Sequence, residues 1–339
     1  MLKKCLILAI VLWTSRIAQA RNLEIYWVDV EGGGATLIVA PSGQSILVDA
    51  GEKLRDATRI YNVAAKVAGL NQIDDLVVTH WHADHYGGAS YLGKMMPIKA
   101  FFANGNPPQS VPEDYQFATL MPQYKALAGD RTVILKPGDT LPVRQVTPGP
   151  PLTATVLAAG GQVLNVKPDA TPNPLCHNAP AVHPDNTQNS KSIVLLFRYG
   201  SFTFFDGGDL TRDVEAKLVC PVNRVGRVTL YQTDHHGLDL SNNPVLIHSL
   251  EPRVVVVNNG PLKGAEHDSM TTLLSTPGIE TIWQIHRNVQ KGSPMNGDLR
   301  YIANQESDCK AEFLSATVQP DGTFSVKIGS TGLQKQYGR

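Results

Sequence analysis

The sequence predicts a layered α/β domain: two mixed sheets packed face to face as an αββα sandwich, with helices on the outer faces. Strand-like runs open the mature chain in a small antiparallel group. Strand-like and helix-like segments then alternate, and the second half of the chain repeats that order loosely. The 339 residues, 42% hydrophobic and 18% charged, have the composition of an ordinary globular protein with enough chain to bury a core.

In order along the chain, Leu23 to Val30 alternates apolar and polar residues, and Ala35 to Ala40 is mostly apolar. Ser45 to Val48 leads into Asp49, after a hairpin turn at Pro41-Ser42-Gly43. Ile60, Val63, Ala64, Val67 and Ala68 fall on one helical face, with Gly69 as the stop. Leu76 to Val78 reads as a buried strand that ends at a histidine cluster. A helix is expected near Asp84, a strand over Lys99 to Ala103, and a helix over Tyr115 to Leu127. Prolines break Pro137 to Pro151. Lys167 to Ser190 is a long polar stretch without periodicity, of the kind that is functional or disordered. Ile193 to Tyr199 and Phe202 to Phe205 read as paired strands turning at Gly200-Ser201. Val228 to Gln232 and Val254 to Val257 are strands, with a helix over Pro244 to Leu250 between them. Thr281 to Ile285 is a further strand, and Asp321-Gly322 turns a hairpin from Glu312–Val318 into Thr323–Ile328.

The first twenty residues differ from the rest. Lys3 and Lys4 precede a short apolar run, Cys5 to Trp13, and Ala18-Gln19-Ala20 fits a small-residue cleavage site. This is the pattern of a secretory signal peptide over residues 1–20, too short in its apolar run to stay as an anchor. Residues 21–339 are then one exported domain, periplasmic or secreted, with no stable membrane anchor. Cleavage leaves 27 basic residues against 30 acidic, a net charge of −3 that gives no support to nucleic-acid binding. Cys176, Cys220 and Cys309 remain. Two can pair in an oxidising compartment, and no CxxC pair suggests a zinc knuckle.

The chemistry centres on Thr79-His80-Trp81-His82-Ala83-Asp84-His85-Tyr86-Gly87-Gly88. His80 and His82, two apart on chain leaving a strand, point the same way and can reach one metal. Asp84 and His85 fall where the chain turns into a helix and can face a second. Three histidines and an aspartate so close together would repel or desolvate one another without a cation. Trp81 and Tyr86 flank them, with aromatic packing as the ordinary use.

These residues resemble the metallo-β-lactamase superfamily. His80, His82, Asp84 and His85 stand as its HxHxDH motif. Asp49 matches the buried aspartate after its second strand, Asp209 the aspartate that bridges both metals, and His235 the late histidine ligand, with His236 as the neighbouring candidate. Within the superfamily the chain is similar to the hydrolase domain of competence DNA-uptake channel proteins and their free-standing relatives. Asp29 to Gly34 resembles that branch's DVGQGD, Asn189 to Leu195 its NxxS strand start, His235-His236-Gly237 its HHG, and His267 a histidine that follows. Gly34 replaces the branch's second acidic residue, and the channel-forming membrane segments have no counterpart, which weakens a nuclease reading.

The resemblance implies two divalent metal ions, zinc or alternatively manganese, held by His80, His82, Asp84, His85, Asn189, Asp209 and His235. Asn189 stands where most of the superfamily has a histidine. An amide oxygen there suits manganese or magnesium better than zinc, unless His183 folds in to complete that half. The implied mechanism is hydrolytic: a metal-activated hydroxide attacks an acyl or phosphoryl centre. Asp84 is expected to orient it, His267 to contact substrate or leaving group, and Lys191 to hold a substrate anion. His177 and His248 have bland roles as loop and helix residues, and His286 ends a strand. The expected function is an exported metallo-hydrolase of a phosphodiester or another small ester-type substrate. The alternatives are a β-lactam or lactone hydrolase, or a catalytically weak metal-binding protein.

Overall fold

A computed structural model describes residues 22–165, 170–290, 295–306 and 309–338. The expected signal peptide lies outside the described residues. Two sheets form. The first runs, edge to edge, Gln334–Tyr337, Phe324–Ile328, Leu314–Val318, Leu23–Trp27, Thr36–Val39, Ser45–Val48, Ile73–Val78, Ile98–Ala103 and Thr132–Ile134. It is antiparallel up to Ser45–Val48 and parallel beyond. The second runs Ile302–Asn304, Thr281–His286, Val254–Val257, Leu230–Gln232, Phe202–Asp206, Val194–Tyr199, Leu152–Ala159 and Gln162–Val163. Its first five strands are parallel and the rest antiparallel. This is the expected sandwich of two mixed sheets.

The period of two along each strand decides what meets between the sheets. Leu23, Ile25 and Trp27 point inward with Ile46, Val48 and Val77, against Val156, Leu195, Phe204, Leu230, Val254 and Trp283 from the other sheet. Each such aliphatic or aromatic side chain, fully buried, contributes about 1.5–3 kcal/mol. Tyr26, Leu37, Leu47 and Leu76 face outward beneath helices Leu54–Tyr61, Ala89–Met95 and Phe117–Ala128. The second sheet is covered by Arg212–Val219, Pro244–Leu250 and His267–Ser275. Polar ties join the sheets near one end: Trp27 Nε1 and Thr36 Oγ1 both donate to Gln232 Oε1, at 2.7 and 2.8 Å.

Several elements differ from expectation. The first helix starts six residues earlier than Ile60, at Leu54, and continues as a wider π-type turn over Asn62–Val67. Leu152–Ala159 is an unexpected strand that pairs with Val194–Tyr199. Helices Arg212–Val219 and His267–Ser275 were also not expected. The polar stretch before Ser190 is irregular but tied down: Cys176 is bonded to Cys220, and Asn173 donates to the Val219 carbonyl and Ser249 Oγ. Among the described residues Cys309 is the free thiol. No helix among the described residues is long and apolar enough to cross a membrane.

Candidate metal centre

The parallel strands of both sheets release their C-terminal ends at one edge of the sandwich, where the candidate metal ligands collect. Ser45–Val48 ends at Asp49, Ile73–Val78 leads to His80, Phe202–Asp206 to Asp209, and Leu230–Gln232 to His235 and His236. His82 is extended, at φ −106° and ψ 146°, and the helical turn Ala83–Tyr86 starts directly after it. Asp114 Oδ2 accepts from the Ala83 amide at 2.8 Å and fixes that start.

Asp209 is the hub. Its Oδ2 lies 3.4 Å from His235 Nε2 and 3.9 Å from His80 Nε2, and His80 Nε2 lies 3.0 Å from His82 Nδ1. Its Oδ1 lies 3.1 Å from His85 Nε2 and 3.3 Å from His236 Nε2. Asp84 Oδ2 closes the second group, 3.7 Å from His85 Nε2 and 3.6 Å from His236 Nε2. One half of the site thus gathers His80, His82 and His235, the other Asp84, His85 and His236, with one oxygen of Asp209 turned to each.

The other faces of these rings are held. His85 Nδ1 donates to Asp49 Oδ2 at 2.6 Å, and the Thr79 amide and hydroxyl donate to the same carboxylate at 2.8 and 2.7 Å. Asp49 therefore orients a ligand instead of facing the centre. His80 Nδ1 sits 3.1 Å from Thr79 Oγ1, whose own proton goes to Asp49, so His80 keeps its proton on Nδ1 and leaves Nε2 as a lone pair. Burial, reinforced by His85, holds His80 well below the usual imidazole range, and burial pushes His235 down to about 4. Both are neutral at pH 7, as ligands must be. Burial alone would raise Asp209 and Asp84. The facing histidines hold Asp209 well below the carboxylate range, and Lys263 and His85 do the same for Asp84. His85 moves the other way: burial disfavours its charge, but Asp209, Asp49 and Asp84 overcome that and raise it well above the usual range.

The donor set fits divalent cations. His85 Nε2, His236 Nε2, Asp209 Oδ1 and Asn189 Oδ1 are buried polar atoms with no hydrogen-bond partner among the described residues. Orphaned donors and acceptors of this kind are costly to bury unless an ion meets them. Asp84, His85, Asp209 and His236 present ligand atoms within 4.8 Å of one another.

The predicted residues come together with corrections. His80, His82, Asp84, His85, Asp209 and His235 all converge. The late histidine is not single: His236 joins Asp84 and His85, while His235 swings to the His80 side. Asn189 lines the cleft, with its amide nitrogen 3.4 Å from His235 Nε2, so it borders the position that His235 occupies. His183 is exposed and lies apart from the cleft, as is His177. His267 is exposed at the start of its helix, paired with Asp268 at 3.1 Å, and Lys191 supplies its carbonyl to Gly160 and Asn104. Neither lines the cleft. Trp81 and Tyr86 are buried against Tyr124 as packing aromatics. His286 is buried on Asp29 at 2.7 Å, and His248 is exposed.

Two residues went unread in the sequence. Lys263, in the turn after Val254–Val257, lines the cleft and donates to Asp84 Oδ2 at 2.5 Å. Glu113 Oε1 lies 3.5 Å from His82 Nε2 and accepts from the Gln188 amide at 2.9 Å. Both sit in loops without periodicity, where only position after a parallel strand or beside the motif would have pointed to them.

An open cleft of about 700 Å³ lies above the centre. Its wall carries Glu31, Glu52, Glu113 and Asp114 against Lys53, Arg55 and Lys263, so it is not a basic groove.

A family model described as the metallo-beta-lactamase superfamily matches residues 29–164. The chain is 22% identical over 265 residues to ComE operon protein 3 of Bacillus subtilis (strain 168), covering 74% of this chain and 30% of that protein. It therefore spans less than a third of that relative's length. Among solved structures it is similar to the metallo-beta-lactamase fold protein YhfI from Bacillus subtilis, with a TM-score of 0.47 at 12% identity, covering 77% of this chain and 96% of that one. Zn(2+)-bound PqqB from Methylobacterium extorquens gives a TM-score of 0.44 at 12% identity, covering 82% of this chain and all of that one.

Proposed function

We propose that this chain, whose residues 29–164 match the metallo-beta-lactamase superfamily model, is an exported, two-metal hydrolase of a small phosphodiester or related ester. The observation that carries the reading is the convergence of His85 Nε2, His236 Nε2 and Asp209 Oδ1 at the floor of an open cleft, all buried and facing one another without a hydrogen bond.

His80, His82 and His235 would hold one cation, Asp84, His85 and His236 the other, and Asp209 would span both. With three imidazoles at the first position the donor set favours zinc, where Asn189 alone suggested a harder ion. Bound there, divalent cations supply Lewis acidity toward the scissile group and acidify an attacking water. The chain's own contribution is to keep His80 and His235 neutral by burial, to hold Asp84 and Asp209 ionised, and to fix His85 through Asp49. With a cation at Nε2, His85 would be held neutral, keeping its one ring proton on Nδ1 toward Asp49.

The likeness of the motifs to the DNA-uptake branch supports a phosphodiester. The acidic balance of the cleft wall supports a small substrate over a polymer. The Cys176–Cys220 bond supports an oxidising compartment and hence export.

Assay of the zinc-loaded protein against bis(p-nitrophenyl) phosphate and a chromogenic cephalosporin tests the reading. Phosphodiester turnover should disappear with a chelator and fall at least about 100-fold in His82→Ala. Cleavage of the cephalosporin alone would overturn the substrate class. An unchanged rate in His82→Ala would overturn the mechanism.

A further inference from the structure

The turn that carries Lys263 is built with little freedom. The Gly260 amide donates to the Lys263 carbonyl at 2.9 Å, and the Ala265 amide donates to the His236 carbonyl at 3.0 Å. A Cβ on Gly260 would sit 2.2 Å from the Glu31 carbonyl oxygen, and one on Gly32 only 3.1 Å from Lys263 Cβ. The lysine stem thus lies against the opening glycine loop, half-exposed, and its ammonium reaches one place. That place is Asp84 Oδ2, the same oxygen that faces His85 Nε2 and His236 Nε2. The other cations of the cleft are paired elsewhere: Arg55 with Glu31 and Asp56, and Lys53 with Glu52.

We propose that Lys263 sets the affinity of the second cation position: its ammonium competes with the incoming divalent ion for Asp84, so the His80–His82–His235 position fills first and the Asp84–His85–His236 position fills later and more weakly. The competition is electrostatic. An ammonium and a dication beside one carboxylate oxygen repel each other at close range. Among the described residues no lysine or arginine is paired with a residue of the first position, whose ion pairs are with Asp209 and Glu113.

This rests on the two-cation reading, and its test reads metal binding instead of turnover. Metal-free protein is titrated with zinc against a chromophoric chelator, for the wild type, Lys263→Met and Lys263→Arg. Methionine keeps the stem's packing and removes the charge, and arginine keeps the charge. The wild type should bind in two steps, the second at least about tenfold weaker. Lys263→Met should tighten the second step at least about tenfold and leave the first within about threefold, with Lys263→Arg resembling the wild type. Lys263→Gln serves the same purpose if the methionine variant melts early. An unchanged or weakened second step in the neutral variants overturns the proposal, because Lys263 then only orients Asp84. Two equal steps in the wild type overturn it too. A wild type that binds no zinc overturns the two-cation reading itself, and the two failures are thereby told apart.

Discussion

His235 and His236 are adjacent in sequence yet face opposite oxygens of Asp209, His235 Nε2 at 3.4 Å from Oδ2 and His236 Nε2 at 3.3 Å from Oδ1. Neighbouring side chains on regular backbone would not serve two sites on either side of one carboxylate. Here both residues are left-handed, at φ 52° and 58°, and the turn is anchored by the His235 amide donating to the Gly208 carbonyl at 2.9 Å. Such conformations cost about 1–3 kcal/mol each and persist where the surroundings impose them. This turn sets His235 at the Asp209 oxygen that also faces His80, on the side where Asn189 stands in place of a histidine.

Asp49→Asn should leave the fold intact and loosen the centre. The amide can still accept from Thr79 but no longer anchors His85 as a carboxylate does. Zinc affinity or turnover should fall about 10–100-fold, measured by chelator competition and by rate.

Gly34 explains a departure from the DNA-uptake branch. A Cβ there would lie 2.7 Å from His85 Nδ1 and 2.9 Å from Asp49. Gly34→Ala should push His85 off Asp49, lower stability by about 1–3 kcal/mol in denaturant melts and weaken metal binding with it. An aspartate, as in that branch, should do more harm.

Away from the centre, Asp29 makes stability depend on acid. Burial would raise its carboxyl, but His286, Cys309 and Arg59 hold it below the usual range. Its contribution is complete above the unfolded value of about 4 and is lost as pH falls from there toward the lowered folded value. Denaturant melts of metal-free protein between neutral pH and pH 3 should show Asp29→Asn less acid-sensitive than the wild type. At neutral pH that variant should be less stable by about 3–5 kcal/mol, since a buried pair is broken.

The Cys176–Cys220 bond spans 44 residues. Loop closure of that length stabilises by about 4 kcal/mol in the chain-entropy account. Cys176→Ser with Cys220→Ser should lose most of this in denaturant melts, and wild-type protein under reductant should match the double variant.

Much of this was legible beforehand. The histidine cluster announced itself because its residue types have no other reason to crowd, and strands such as Val254–Val257 are apolar throughout. Leu152–Ala159 escaped because five of its eight residues are alanine or threonine and it follows a proline-rich stretch. Arg212–Val219 and His267–Ser275 are short and polar, stabilised by tertiary packing rather than by pattern. Which of His235 and His236 serves which half depends on two positive φ angles that no periodicity encodes. Lys263 meets Asp84 across 179 residues, so local sequence gave Lys191 as much claim.

Zinc content of desalted protein after equilibration with excess metal tests the central claim most directly. Two ions per wild-type chain should fall to one in His235→Ala and to one in His236→Ala, each variant keeping the other position. Two ions retained in either variant, or none in the wild type, would contradict a centre divided across the two oxygens of Asp209.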